Sequence, residues 1–365
     1  PALTFDATLR AGARTAVAQG RAVIRPDAQE VRIEHVALGN NQIVWSNENN
    51  DTVKLDYSGG MVKVDHMRLS SGSQHLTLDG TLPISGHDPA VLTIEAGDGD
   101  LSGLTDLLLL TRKLKGRLTA AARVEGPAAA RSISGNVDVQ NGAIDQLTYQ
   151  SLVGKAHYAN QVAKVEATLT EKPGAELSVT GTVPVADEKS EIPGDETLAL
   201  RIKSSTVGLQ VIQALTDQVS DLAGTLELNL EVGGTLKTPR VYGELAVRDG
   251  TLRVVETGVR YQKLNTQLVF EGPIARIDRL NVQDSDGHTL TASVRVGIEG
   301  RSVNTFDMQA SLDDFKVLDN RLGNVKIEGN LTLQGGLDSP QIEGTLGISS
   351  GTLEVDRLLE RLTSN

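Results

Sequence analysis

The chain has 365 residues with 35 basic against 47 acidic side chains, a net charge of −12 and no basic tract, so the phosphate-neutralising footprint of nucleic-acid binding is missing. It contains no cysteine, which excludes disulfide scaffolds and thiolate metal sites. Its richest apolar run, the four leucines at 107–110, falls far short of the ~18 residues that a membrane-crossing helix needs.

Residues 3–94 read as strand after strand. Val31 and Ile33; Val53, Leu55 and Tyr57; Val62 and Val64; Leu76 and Leu78; Leu82 and Ile84; and Leu92 and Ile94 keep a period of two, which places each set on one sheet face. Turns are expected at Asn40-Asn41, Ser58-Gly59-Gly60, Ser71-Gly72 and Asp79-Gly80. The strands are rich in aliphatics and threonine, but aromatics make up only 3% of the chain, fewer than the core of an ordinary sandwich uses. Two segments break this rhythm. Leu104, Leu107, Leu108 and Leu114 after Ser102, and Val211, Ile212, Leu215, Val219 and Leu222 after Thr206, have helical spacing and predict two short amphipathic helices that cover part of the sheet. Residues 313–324 are too short and polar for a full helix, and a third short one is expected at Asp356 to Leu362.

A longer pattern is written three times. In residues 224–252, Leu226, Leu228, Leu230 and Val232 alternate with polar residues, Gly233-Gly234 and Pro239 interrupt, and Leu245 and Val247 lead to an expected turn at Asp249-Gly250, with Leu252 and Val254 returning. Residues 329–353 repeat it with Leu331, Leu333, Pro340, Gly344, Leu346, Ile348 and Gly351. Residues 116–144 repeat it with Leu118, Val124, Gly135, Val137, Val139 and Gly142, and with Arg131 in place of the proline. The glycine pairs 135/142, 243/250 and 344/351 share one spacing of seven, and such self-similarity marks a stacked architecture. Between copies the meander continues through Leu268 and Phe270; Ile277, Leu280 and Val282; Leu290, Val294 and Val296; and Phe306 and Met308. The opposing faces are polar, and there are too few helices for a second layer, so the apolar face must bury itself by curling. The units are expected at 1–95, 96–206, 207–312 and, partial, 313–365. About 28 strands spaced ~4.8 Å apart would extend on the order of 130 Å.

No phosphate loop, nucleophile elbow or His-Glu-x-x-His pair is present, and no enzymatic activity is expected. The six histidines, His35, His66, His75, His87, His157 and His288, never share metal-ligand spacing on one element, so no metal and no cofactor are expected. Asp98-Gly99-Asp100 and Asp284-x-Asp286-Gly287 are similar to fragments of calcium loops but lack the later acidic ligand, and both read as turns.

The recurrence of Gly-x-Leu-x-Leu-x-Leu-x-Val-x-Gly, Pro-x-Val-x-Gly-x-Leu-x-Val-x-x-Gly and a Tyr-x-x-Leu strand (Tyr149 and Leu152, Tyr261 and Leu264) resembles the repeating C-terminal region of the TamB family, related to AsmA-like, bridge-like lipid transfer proteins. The resemblance covers most of the chain from Leu76 onward. It implies a β-taco: a long, curved, mainly antiparallel all-β meander folded lengthwise into a trough with an apolar interior, in the periplasm of a diderm bacterium. It also implies an inner-membrane anchor, an Omp85-type, TamA-like outer-membrane barrel partner reached through the C-terminal region of the full-length protein, and movement of phospholipid or assembly of outer-membrane proteins. Pro1 stands where an initiator methionine would, so the chain is expected to be a piece of a longer protein, its export signal or anchor outside it. The expected lining for acyl chains is Leu118, Val124, Val137, Val139, Leu226, Leu228, Leu230, Val232, Leu245, Val247, Leu252, Val254, Leu268, Phe270, Leu290, Val294, Val296, Phe306, Met308, Leu331, Leu333, Leu346 and Ile348. A scaffold holding unfolded outer-membrane strands by β-augmentation and a β-rich adhesin or stalk are the alternatives.

Overall fold

A computed structural model describes residues 2–12, 14–25, 28–40, 43–47, 52–83, 88–103, 112–127, 130–185, 197–214, 216–300, 302–336 and 339–354. Twenty-three strands belong to one sheet: β1 (Ala2–Ala11), β2 (Arg14–Ile24), β3 (Ala28–Gly39), β4 (Val44–Ser46), β5 (Val53–Ser58), β6 (Met61–Ser71), β7 (Gln74–Pro83), β8 (Ala90–Asp100), β9 (Leu114–Gly126), β10 (Ser132–Ile144), β11 (Leu147–Ala159), β12 (Val162–Lys172), β13 (Ala175–Pro184), β14 (Ala199–Ser204), β15 (Val207–Gly208), β16 (Val219–Gly234), β17 (Pro239–Val254), β18 (Arg260–Gly272), β19 (Ile274–Asp284), β20 (Thr289–Glu299), β21 (Ser302–Asn320), β22 (Gly323–Gly336) and β23 (Ser339–Leu353). The all-β antiparallel meander read from the sequence is therefore the fold. The chain divides into two compact units, Pro1–Thr170 with Thr182–Ile192, and Glu171–Gly181 with Pro193–Asn365.

The strands are fewer and longer than expected because several apparent turns are β-bulges inside continuous strands. Asp249-Gly250 lies within β17, where the register to β18 shifts between Val247 and Gly250 and Asp249 takes φ 48°. Asn141-Gly142 does the same within β10, and Asp98-Gly99, read as a turn, does so within β8. Asp79-Gly80 also lies inside a strand, β7, and the Asp79 carboxylate accepts the amide of His66, the bulged residue of β6. A bulge adds one residue and twists the strand, so the chain passes the point where a hairpin was expected. Ser58-Gly59-Gly60 and Ser71-Gly72 do lie at hairpin turns, while Asn41 lies outside the described residues.

Bulges also explain the misread helices. Val219 and Leu222 are three apart, yet both pack inward because Asp221, at φ 53°, shifts the phase of β16. What remains of the second helix is a 3₁₀ helix, Leu209–Ala214. Of the first, only Leu101–Gly103 is helical, capped by Asp100 rather than Ser102, since the Asp100 carboxylate accepts the Ser102 amide at 2.9 Å. Leu114 opens β9, and residues 104–111, Leu215 and the third helix at 356–362 lie outside the described residues.

In the first unit β3 is shared between two short partners. β4 pairs at Ala37–Gly39 and β5 at Ala28–Ile33. The gap between them is closed by Asn47, which is 4% exposed; its Oδ1 accepts the Val36 amide at 2.8 Å and its Nδ2 donates to the Glu34 carbonyl at 3.0 Å. Buried backbone groups need such partners. The excursion seats Trp45 and Ile43 against Val36, Val53 and Leu69, the core of this unit.

In the second unit the core runs through two linked clusters. One gathers Val207, Leu209, Leu222, Leu226 and Val247; the other gathers Val282, Ala310, Leu312 and Phe315, and Leu264 packs on both. The second is roofed by a clasp. The hairpin tips 254–260 and 319–323 meet above the shorter β19–β20 hairpin: Asp319 donates its amide to the Thr257 carbonyl at 2.8 Å and Asn320 Nδ2 donates to the Glu256 carbonyl at 2.8 Å. Beneath, the Tyr261 and Phe315 rings stack at 5.2 Å and the Tyr261 hydroxyl donates to the Lys316 carbonyl at 3.2 Å. Phe315→Ala should lower the unfolding free energy of this unit by about 3–5 kcal/mol, whereas Phe306→Ala, at a half-buried position, should cost about 1 kcal/mol. Urea denaturation of the two variants checks the difference.

The turn after β19 seals the same cluster with charge. Asp284 is fully buried; its Oδ1 accepts the amides of Asp286 and His288 and its Oδ2 that of Lys316. Lys326 Nζ, at 2.7 Å, and Lys316 Nζ, at 3.3 Å, hold the Asp286 carboxyl down from 3.8 to about 2. A carboxyl depressed on folding stabilises fully above its unfolded value and loses that contribution as pH falls through the folded value. The melting-temperature gap between the wild type and Asp286→Asn should therefore hold down to pH 3.8 and close as pH approaches about 2. Thermal melts of both across that window check it.

Candidate apolar groove

Alternation becomes a surface only through register. In the second unit Leu226, Leu228, Leu230 and Val232 stand opposite Val247, Leu245, Gly243 and Val241, while Glu227, Asn229 and Glu231 stand opposite Ala246, Glu244 and Tyr242. The apolar row continues as Leu245–Leu268–Ile277–Val294–Met308–Leu333 and Gly243–Phe270–Ala275–Val296–Phe306. Leu252, Val254, Leu290, Leu331, Leu346 and Ile348 fall on the same face. Gly243 is required here: at φ 113°, a Cβ would lie 2.1 Å from the Asn229 carbonyl oxygen. Gly344 repeats this against Asn330, so the seven-residue spacing joins a close strand approach to a bulge.

These positions are not equally open. Leu226 and Val247 are closed over by the unit's own core, Leu228, Leu245 and Leu252 are half-buried at its edge, and Leu346 and Ile348 are exposed. Phe270, Val294, Val296, Phe306, Met308, Leu331 and Leu333 are half-buried.

In the first unit Leu118, Val124, Val137 and Val139 also share one face. Between them lie two cross-strand rows of small residues, Ala96–Ala120–Val137–Gly154–Ala167 and Ile94–Ala122–Gly135–Ala156–Val165. Short side chains here leave a cavity of about 450 Å³, walled almost wholly by apolar atoms. That is within the ~300–1,000 Å³ typical of small-molecule sites. On the reverse face of the same strands, a depression of about 490 Å³ is bordered by Arg123, Asp138 and Lys155. The sequence pattern missed most of these small residues as a lining because alanine and glycine give a weak hydropathy signal; their period of two across five strands was the available clue. The two Tyr-x-x-Leu strands are not equivalent either. Tyr149 lies opposite Gly142 with its ring filling the space of a Cβ, whereas Leu264 lies opposite Gly250.

Ionisable groups collect away from this face or at its margin. His66 sits with Asp65 and Asp79, and His288 with Asp284 and Asp286, each trio offering ligand atoms within 4.8 Å of one another. Separate strands supply Asp65 and Asp79, which hid the first trio from linear spacing. In the second, two lysine ammonium groups already neutralise Asp286. Burial, with the nearby Asp284 carboxylate, pushes the Tyr261 hydroxyl up to about 12, so it stays a donor.

Among the described residues no helix is long and apolar enough to cross a membrane. No curated protein matches the chain. The family model for the TamB N-terminal domain matches residues 30–247, and that for the TamB C-terminal domain matches residues 278–365. The first copy of the repeat, and the second as far as Val247, thus fall under the N-terminal model and the third under the C-terminal one, and the likeness begins well before Leu76. A one-faced antiparallel meander, apolar inside and matched over most of its length, identifies the chain as a member of the TamB family of cell-envelope proteins.

Proposed function

We propose that the apolar faces of the two units hold acyl chains, and that the protein provides a groove for phospholipid moving between the inner and outer membranes of a diderm envelope. The observation that carries this reading is the apolar cavity over β8–β12, built where five successive strands present alanine, glycine and valine in register. Such a wall offers dispersion contacts and dry surface but no convergent polar group, which suits a flexible hydrocarbon chain better than a shaped polar ligand. Charged headgroups would stay in water. The full-length protein would work in the periplasm, anchored in the inner membrane and joined at its C-terminal region to an Omp85-type barrel. The TamB family is non-enzymatic, and the geometry supplies no nucleophile–base pair facing the cavity.

Purified protein extracted into organic solvent should yield phospholipid by mass spectrometry. Ala120→Arg should lower the lipid retained per chain about tenfold or more, because an unpaired guanidinium in an apolar groove costs several kcal/mol, reduced where it can snorkel. Thr119→Arg is the control: its neighbour on the solvated face is Asp138, so the same charge is added without entering the groove. Equal lipid retention by the two variants, or none by the wild type, would overturn the reading.

A further inference from the structure

One segment of the second unit lies on the apolar face itself. β14 pairs with β16 as far as Lys203–Asn229, the chain then leaves the sheet, and it rejoins for only two residues at β15, Val207–Leu226 and Gly208–Thr225. The Leu228 amide left without a strand partner donates instead to Ser204 Oγ at 3.0 Å. The 3₁₀ helix Leu209–Ala214 follows, and Leu209, Val211 and Ile212 pack onto the face shared by Leu226, Leu228, Leu245 and Val247. These four are positions where an acyl chain would lie. The segment is tied at its two ends: Ser205 donates its amide to the Glu176 carbonyl of β13 at 3.0 Å and its Oγ accepts the Glu176 amide at 2.8 Å, and the Gln218 carbonyl accepts the Val255 amide at 3.0 Å.

Apart from the Gly208 amide, which donates to Glu171 Oε2 at 2.6 Å in a short charge-assisted bond, the ties within it are weak: the 3₁₀ geometry is poorer than that of an α-helix, and Gln210 Oε1 is buried with no hydrogen-bond donor among the described residues. A closed state that buries an unsatisfied amide oxygen favours opening, and short segments with few backbone bonds are where local opening concentrates. We infer that residues 205–214 form a strap that gates the groove over β16–β18, shut in this structure and lifted when an acyl chain takes its place on Leu226, Leu228, Leu245 and Val247. This inference rests on the lipid-groove reading.

The absence of native cysteine makes a lock straightforward. Val207 and Leu226 are direct cross-strand partners, so Val207→Cys/Leu226→Cys can close as a disulfide that pins the strap. Glu231→Cys/Tyr242→Cys, a direct pair on the solvated face, is the control. Transfer of fluorescent phosphatidylethanolamine between vesicles should be about tenfold slower for the oxidised lock than for the same protein reduced, about 1.4 kcal/mol, with no redox dependence in the control. In the unmodified chain, hydrogen exchange of the amides at 209–214 should speed up when phosphatidylethanolamine vesicles are added. Equal transfer by the oxidised and reduced lock, or exchange that is unchanged or slowed by lipid, would overturn the gate and leave the groove standing. No transfer by the wild type, with no co-purified lipid, would remove the groove and the gate together.

Discussion

A sheet that is apolar on one face, with almost no helix among the described residues to cover it, has to find cover from its own strands. Each unit solves this locally. In the first, the β4 excursion carries Trp45 onto the face and Asn47 repairs the backbone gap that it opens. In the second, the segment at 205–214 covers the floor near β16 and the hairpin clasp covers it near β21. The β4 excursion and the clasp use main-chain or neutral side-chain hydrogen bonds to hold aliphatic and aromatic groups in place, and the strap adds the Glu171 carboxylate; apolar burial gives the stabilisation and the polar groups need only avoid being orphaned.

Bulges make these devices possible. A residue with positive φ stands at one register shift in each of β6, β8, β10, β17, β18 and β21: His66, Asp98, Asn141, Asp249, Lys263 and Asp314. Several freed amides or carboxylates then find partners one strand away, as Asp249 does with Asn265 Oδ1 at 3.0 Å. The added twist lets long hairpins lean over shorter ones, and without the phase shift at Asp314 both Leu312 and Phe315 could not point into one core.

Strand identity and facing were legible in the sequence because each depends on a local period of two. Leu226 to Val232 is the plainest case: alternation predicted their shared face and the register places them on it. Strand length was not legible, because Asp-Gly and Asn-Gly are the residues of a tight turn and of a bulge alike, both demanding positive φ. Helical spacing at Val219 and Leu222 was a bulge seen in one dimension. The cavity over β8–β12 was hidden for another reason: Ala96, Ala120, Gly154 and Ala167 come from four strands, and only pairing shows that small residues meet small residues.

Charge is arranged to leave the apolar face undisturbed. Arg201–Glu231, Arg260–Asp221 and Arg123–Glu125 are exposed pairs on strands whose alternate residues face inward. Exposed pairs of this kind contribute about 0–1 kcal/mol each, so their value lies in keeping one face wet rather than in stability. The Asp284–Lys316–Asp286–Lys326 group differs because Asp284 and Lys316 are buried and the group is multiply bonded, and it stands where the aliphatic core of the second unit ends. Satisfied charge at that margin opposes sliding of the short β19–β20 hairpin under the clasp, since any slip would part the buried Asp284 carboxylate from the Lys316 amide of β21. The apolar face of the second unit therefore has a fixed edge at the clasp and, in the proposed gate, a movable one at the strap.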